Sequence, residues 1–316
     1  MSKVSEELSE YTGRYEIFIP SRERTDLMRD RRGAWKLFNP TSCNYPVKVV
    51  VRDIEEADYL QASGLSEFSP DQLGLGVTTT PSVNMDIAKT RQLIVEEAHE
   101  RGLEYLFMLD DDVVLSYRDE SLSSKYGSRV EELFARDGLN QCLLECLKMC
   151  GPEYPMVGLP LRFGSVSRKY MFEKNSTIIR FVCLHVPTLM KEGVSYTGLG
   201  GGVMEDYYVQ LSLLSKGYRT MTNCRFAIDD YGTGKPGGCS TTRSVEVHNE
   251  SAELLAQKFE CVDLKWKKTS FWPEERLDCG FKPKSFLPAG ELPYIPFQEA
   301  VDKFGLDHLR RGDEAQ

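Results

Sequence analysis

The sequence predicts an α/β protein whose mostly parallel central sheet is flanked by helices, and three observations predict it. Short apolar runs at Tyr15–Pro20, 47–51, 73–77 and Tyr105–Leu109 alternate with amphipathic stretches, as strands joined by helical crossovers do. Ahead of the fourth run, positions 84–102 carry Ile87, Ile94, Val95 and Ala98 on one helical face and close on Gly102, where a C-terminal cap belongs. The 316 residues are 41% hydrophobic and 28% charged, the composition of a chain with a packed core rather than a disordered or fibrous one.

The opening residues are polar and acidic, and positions 1–14 read as an N-terminal arm. No apolar leader appears there, and no later stretch approaches the roughly eighteen apolar residues a membrane span needs, so a cytoplasmic protein with no membrane partner is expected. After the fourth strand come a helix over 139–150, a strand over 156–161 and a hairpin over 169–186 turning at Asn175-Ser176. A further helix over 206–216 points Leu211 and Leu214 inward and stops at Gly217. From Ser270 onward Pro273, Pro283, Pro288, Pro293 and Pro296 break the chain into extended pieces, with one short helix at Phe297–Phe304. The expected organisation is an arm (1–14), a main domain (15–260) and a C-terminal extension (261–316) packed on the core.

Nine cysteines without a C-x-x-C pair argue against a disulfide framework and a zinc ribbon. Cys142, Cys146 and Cys150 share a helical face, where buried free thiols are favoured over a metal site. Asn175-Ser176-Thr177 matches a glycosylation sequon and is read as a turn. A net charge of −9 disfavours a protein that coats nucleic acid but leaves room for a local basic groove. Arg22, Arg24, Arg29, Arg31, Arg32 and Lys36 crowd one stretch, and Lys265, Lys267 and Lys268 form a smaller cluster. The bland alternative for both is a solvated face.

The sharpest chemical signal is the apolar strand ending in Asp110-Asp111-Asp112. Ligands of open α/β sheets bind beyond the carboxyl ends of strands, and adjacent carboxylates repel one another until a divalent cation with oxygen ligands relieves them. Asp110 and Asp112 are the candidate ligands for Mn²⁺ or Mg²⁺, with Asp110 and Asp111 facing a donor diphosphate; the alternative is a solvated turn capped by aspartates. A second signal is the glycine run 198–202 leading to Glu205-Asp206 at the opening of a helix, whose dipole stabilises an anion. Either carboxylate there can act as general base toward an acceptor hydroxyl, against the alternative of an ordinary acidic N-cap. The glycines fit neither dinucleotide-binding nor P-loop spacing.

The polar glycine-rich stretch 232–243 reads as a loop closing over a donor, and His248 as a possible last metal ligand, though a lone histidine is more often packed or at the surface. Lys89 and Arg91 are candidate donor contacts and Arg162 an acceptor contact. His99 lies on a solvated helix face. Trp35, Tyr170, Tyr196 and Tyr207 are candidate stacking platforms for a base, against the commoner role of core packing.

Together these motifs resemble the GT-A glycosyltransferases, with a Rossmann-like sheet. Phe18-Ile-Pro-Ser-Arg-Glu-Arg24, Met108-Leu-Asp-Asp-Asp112, Val157-Gly-Leu-Pro-Leu-Arg162 and the segment opening at Gly237 more particularly resemble the TET/JBP-associated glycosyltransferases, known from phages and from base J synthesis. The likeness runs from about Tyr15 to Phe259. It implies a UDP-sugar donor and, as acceptor, a 5-hydroxymethylcytosine or hydroxymethyluracil in DNA. By that likeness Ser21 and Arg22 sit at the nucleotide, Asp110 and Asp112 at donor and metal, and Asp206 at the acceptor oxygen. The full expectation adds Pro20 and Arg24 to the nucleotide contacts and Gly201, Gly202 and Tyr207 to the acceptor side. Because the chain is acidic, DNA binding falls to the clustered arginines and lysines. A phage-encoded enzyme of this kind acts in the host cytoplasm. The expected chemistry is an inverting displacement; the rivals are a glycosyltransferase acting on a glycan or protein, a nucleotidyltransferase and an inactive nucleotide-sugar-binding module.

Overall fold

The computed structural model describes residues 2–69, 73–117, 137–162, 170–200, 202–230, 237–238, 244–268 and 274–310. Its strands are β1 (Tyr15–Pro20), β2 (Pro46–Arg52), β3 (Gly74–Thr80), β4 (Tyr105–Leu109), β5 (Val113–Tyr117), β6 (Met156–Gly158), β7 (Phe172–Lys174), β8 (Phe181–His185), β9 (Thr220–Asn223), β10 (Phe226–Asp230), β11 (Val262–Lys267) and β12 (Arg276–Phe281). Its α-helices are α1 (Lys3–Ser9), α2 (Thr25–Arg29), α3 (Ala34–Leu37), α4 (Glu56–Ser63), α5 (Ile87–Glu100), α6 (Gly138–Met149), α7 (Val186–Glu192), α8 (Glu205–Ser215), α9 (Val245–Lys258) and α10 (Phe297–Phe304).

The central sheet has the order β3-β2-β1-β4-β8-β6-β9-β7. The first four strands are mutually parallel, β6 and β9 run the same way, and β8 and β7 are reversed. The predicted mostly parallel α/β sheet is therefore present. Both faces are buried, as a helix-covered parallel sheet requires: Ile17, Ile19, Phe107 and Leu109 enter one core, while the alternate residues Phe18, Leu106 and Met108 enter the other. From β1 the chain proceeds outward to β2 and β3, then returns to place β4 on the other side of β1. That reversal opens a crevice beyond the carboxyl ends of β1 and β4.

Helix α5 begins at an N-cap, Asp86, whose side chain accepts from Lys89 N at 2.8 Å, and its buried face carries the expected Ile94, Val95 and Ala98 together with Arg91. Cys142, Cys146 and Cys150 are buried core thiols. Among the described residues no helix is long and apolar enough to cross a membrane.

The hairpin predicted over 169–186 is not formed by the described residues in that span, and Lys169 lies outside them. β7 pairs with β9, and β8 pairs with β4 and β6. Asn175 adopts φ +49° and bonds Thr220 through both its N–H (2.8 Å) and its Oδ1 (2.9 Å), so the turn is tied to β9 instead of folding β7 onto β8. Within the region expected to be extended, β12 forms a ladder with β11. Further on, Lys174 N donates to Pro293 O and Ile295 N to Phe172 O, both at 3.0 Å, so the chain near 293–295 covers the edge strand β7. Lys174 and Arg219 clamp Glu291 there, and those bonds hold its carboxyl down at about 2.

Candidate active site

The crevice is a cleft of about 430 Å³. Its floor comes from the strand ends: Pro20 of β1 with Ser21 and Arg22 after it, Val51 and Arg52 of β2, Thr80 of β3, and Asp110, Asp111 and Asp112 after β4. The start of α5, the start of α8, His248 on α9 and Arg276, Asp278 and Cys279 on β12 complete it.

Three consecutive aspartates cannot point the same way, and here they divide. Asp111 turns inward, accepting from Ser21 Oγ and from Arg24 Nη1 at 2.7 Å, while Ser21 also meets Tyr59 OH at 2.7 Å. Burial pushes Asp111 up to about 7 against the pull of Arg24. Its backbone carbonyl accepts from Ala34 N at 3.0 Å, and the chain passes so close that a Cβ on Gly33 would lie 2.4 Å from that oxygen. Asp112 accepts from the same Arg24 Nη1 at 2.9 Å, and burial together with the charge of Asp110 raises its carboxyl.

Asp110 faces a different cation. Arg91, only 5% exposed, donates from Nη2 to Asp110 at 2.7 Å and sets Nη1 against Glu205 at 2.9 Å and against Asp206. Burial alone would lower the Arg91 guanidinium, but Asp206, Glu205 and Asp110 together hold it well above its ordinary range. One guanidinium thus joins the two acidic motifs across the cleft. Met204, at φ +68°, turns the chain so that α8 begins with Glu205 and Asp206 aimed at this point.

Arg180 is, with Met204, a strained residue of the site. It adopts φ +65°, a conformation costly for a side chain with a Cβ; its carbonyl accepts from Asp110 N at 2.9 Å, and its guanidinium lines the cleft while paired to Asp230. The backbone strain therefore sits directly behind the acidic strand end.

Of the residues singled out in sequence, Pro20, Ser21, Arg22, Arg24, Arg91, Asp110, Asp111, Asp112, Glu205, Asp206, Tyr207 and His248 come together in the cleft. Others do not line it: Lys89 binds the Asn84 carbonyl at 2.8 Å, Arg162 pairs with Asp229 at 3.4 Å, and Gly202 packs against Ser251. Gly201 lies outside the described residues, as does most of 232–243; of that loop Gly238 donates to the Arg22 carbonyl at 2.8 Å. His248 does not join the aspartates in a ligand cluster. Its Nε2 meets the Leu277 carbonyl at 2.9 Å, and no group of three acidic, histidine or cysteine residues among the described ones is arranged to hold a metal. Trp35 and Tyr196 are buried in the core and Tyr170 stacks on Tyr294, which leaves Tyr207 at the cleft. The sequence reading missed Arg52, Arg180, Arg276 and Asp278. Arg52 ends a strand just as Ser21 follows one, and that rule finds it; nothing local marks the others.

No protein-family model matches the chain. Among curated proteins it is 26% identical over 260 residues to the beta-glucosyl-HMC-alpha-glucosyl-transferase of Enterobacteria phage T2, covering 80% of this chain and 85% of that one. It is equally 26% identical over 272 residues to the enzyme of the same name from phage T6, covering 84% and 87%. The chain is homologous to these phage enzymes, and it is a glycosyltransferase. Likeness to solved structures is looser: S. aureus TarS 1–349 in complex with UDP-GlcNAc matches with a TM-score of 0.42 at 11% identity, over 77% of this chain and 66% of that one, just under two thirds of its length.

Proposed function

We propose that this glycosyltransferase takes its sugar from a UDP-sugar and places it on a hydroxyl carried by a 5-hydroxymethylpyrimidine of DNA. The observation that carries the reading is the meeting of the Asp110–Asp112 strand end and the Glu205-Asp206 helix start in one cleft, joined by Arg91. The cleft's position at the reversal of strand order supports a nucleotide donor, and its volume suits a small-molecule site. The names of the phage homologues support the DNA acceptor, and they include a glucosyl group already on the base.

A divalent ion fits the donor set. Asp110 and Asp112 each give one carboxylate oxygen to an arginine and keep the other without a hydrogen-bond partner among the described residues. Asp110 and Asp112 would hold Mn²⁺ or Mg²⁺ through these two hard oxygen donors. Bound there, the ion would neutralise charge on the departing diphosphate. Asp206 is the proposed base: Arg91 orients it through Oδ1, leaving its second oxygen for the acceptor proton. As the acceptor oxygen bonds to the anomeric carbon, the bond to the diphosphate breaks and the acceptor proton passes to Asp206.

The test incubates the protein with several UDP-sugars and Mn²⁺ or a chelator. Acceptors are oligonucleotides carrying hydroxymethylcytosine, its β-glucosylated form or hydroxymethyluracil, with free saccharides alongside. Expected are one added hexose on a nucleoside, release of UDP and dependence on the ion. Pyrophosphate release or transfer to saccharides alone overturns the function; turnover left intact in Asp206→Asn removes Asp206 as base.

A further inference from the structure

The β11–β12 ladder forms an outer wall of the cleft, and its two sides differ. Lys265 lies opposite Asp278 and Lys267 opposite Arg276, and directly opposed residues of an antiparallel ladder project from the same face. Arg276 and Asp278 on this side and Cys279 on the other all line the cleft, and Lys267 Nζ reaches Asp278 at 3.2 Å, so the β12 edge of the ladder borders the cleft. The first side carries Lys265, Lys267 and Arg276 against Asp263 and Asp278. The other side is apolar and packs Val262, Leu264, Cys279 and Phe281 with Leu255 of α9. Trp266 belongs to that side by alternation, yet it is 62% exposed, the most exposed aromatic ring among the described residues, and Lys268 follows it in solvent.

An indole in water, with Lys268 on its own side and Lys265 and Lys267 on the other side of the same strand, is not a core residue. It combines a flat apolar face with charges that seek phosphate, the pairing that binds unstacked nucleic acid strands. The chemistry of the cleft also calls for such a group. The carboxylates lie at the cleft floor, so a modified base must leave its stack to reach them, and the neighbours it abandons lose a stacking partner. We infer that the β11–β12 ladder binds the acceptor DNA strand beside the cleft, with Trp266 stacking on a base next to the modified one and Lys265, Lys267 and Lys268 neutralising phosphates. The inference rests on the reading of a DNA acceptor. The net charge of −9 explains why a local lysine group is needed.

The test uses the full chain, Trp266→Ala, Trp266→Phe and the double variant Lys265→Ala/Lys267→Ala. Fluorescence anisotropy follows a labelled oligonucleotide carrying 5-hydroxymethylcytosine through a salt series, and calorimetry with UDP reports the folded donor site. Trp266→Ala weakens DNA binding about tenfold, whereas Trp266→Phe, which keeps a ring, stays within about threefold. The lysine pair lowers the slope of log affinity against log salt by roughly 1.4 for a single strand. UDP affinity is unchanged in all three, and KM for DNA rises while kcat at saturating DNA holds. If both sets of variants bind DNA like the unaltered protein while that protein glycosylates the oligonucleotide, the ladder is not the contact and only this inference falls. Loss in Trp266→Phe equal to that in Trp266→Ala, with UDP binding intact, removes stacking as the cause. An unaltered protein that neither binds nor modifies DNA but glycosylates a saccharide takes down the acceptor reading and the inference together.

Discussion

Arg91 and Arg225 are both buried arginines set among carboxylates, and they differ in what surrounds them. Around Arg225 the charges balance: Glu145 on α6 receives Arg225, Asn223 Nδ2 at 2.8 Å and His308 Nε2 at 3.1 Å, while Arg225 gives its other nitrogen to Tyr117 OH at 2.8 Å. Burial would raise Glu145, but those partners outweigh it and hold its carboxyl below the usual range. Around Arg91 they do not balance, because one guanidinium meets Asp110, Glu205 and Asp206, and Asp111 and Asp112 share Arg24 close by. The balanced cluster ties His308, beyond α10, to α6. The unsaturated one opens into the cleft, with carboxylate oxygens to spare for an ion or a proton. A buried charge cluster that is complete serves the fold, and one left incomplete beside a cavity is a candidate site for a ligand.

The largest effect that separates the two clusters is on turnover. Asp206→Asn lowers kcat by about 10²–10⁴ with UDP affinity retained, measured by steady-state kinetics beside calorimetry; lost UDP affinity with kcat intact would contradict the role of base. Next in size is Glu145→Ala, which leaves Arg225 uncompensated in the core. It costs about 3–5 kcal/mol of stability in denaturant unfolding, while the folded fraction keeps its kcat. A stable Glu145→Ala protein with reduced turnover would erase the distinction between the clusters.

The smallest effect is the sign of the pH dependence. Asp111 has a folded value near 7 against roughly 3.9 unfolded, so its contribution to stability is present at low pH and is lost as pH rises through 7. Glu145, held below its unfolded value of roughly 4.3, contributes above that pH and loses the contribution as pH falls. Thermal melts from pH 2 to 8 therefore flatten between about 4 and 7 in Asp111→Asn and below about 4 in Glu145→Gln. The same change in both variants would show that these two groups do not set the profile.

Much of the architecture was legible before any coordinates. β1 and β4 lie where their apolar runs predict, and α5, α6, α8 and α10 fall within a few residues of theirs. The strand-end aspartates and the Glu205-Asp206 pair were likewise visible, because a carboxylate run after an apolar strand is a local pattern. What local pattern could not supply was pairing. β7 and β8 look like a hairpin until Asn175 is seen bound to Thr220, and β12 hides among prolines because its partner β11 lies beyond an intervening stretch. Arg180 carries no signal at all, since its strain is a property of backbone angles imposed from outside.

By itself, then, the chain's order of residues determined which segments become strands and helices and which ones end in acid, since apolar period and capping act over a few neighbouring positions. Only the folded molecule decided that Arg91 would stand between Asp110 and Asp206, 115 positions away. Which cation meets which carboxylate depends on how elements pack, and Coulomb attraction across a buried gap is read from distance in space, not from distance along the chain.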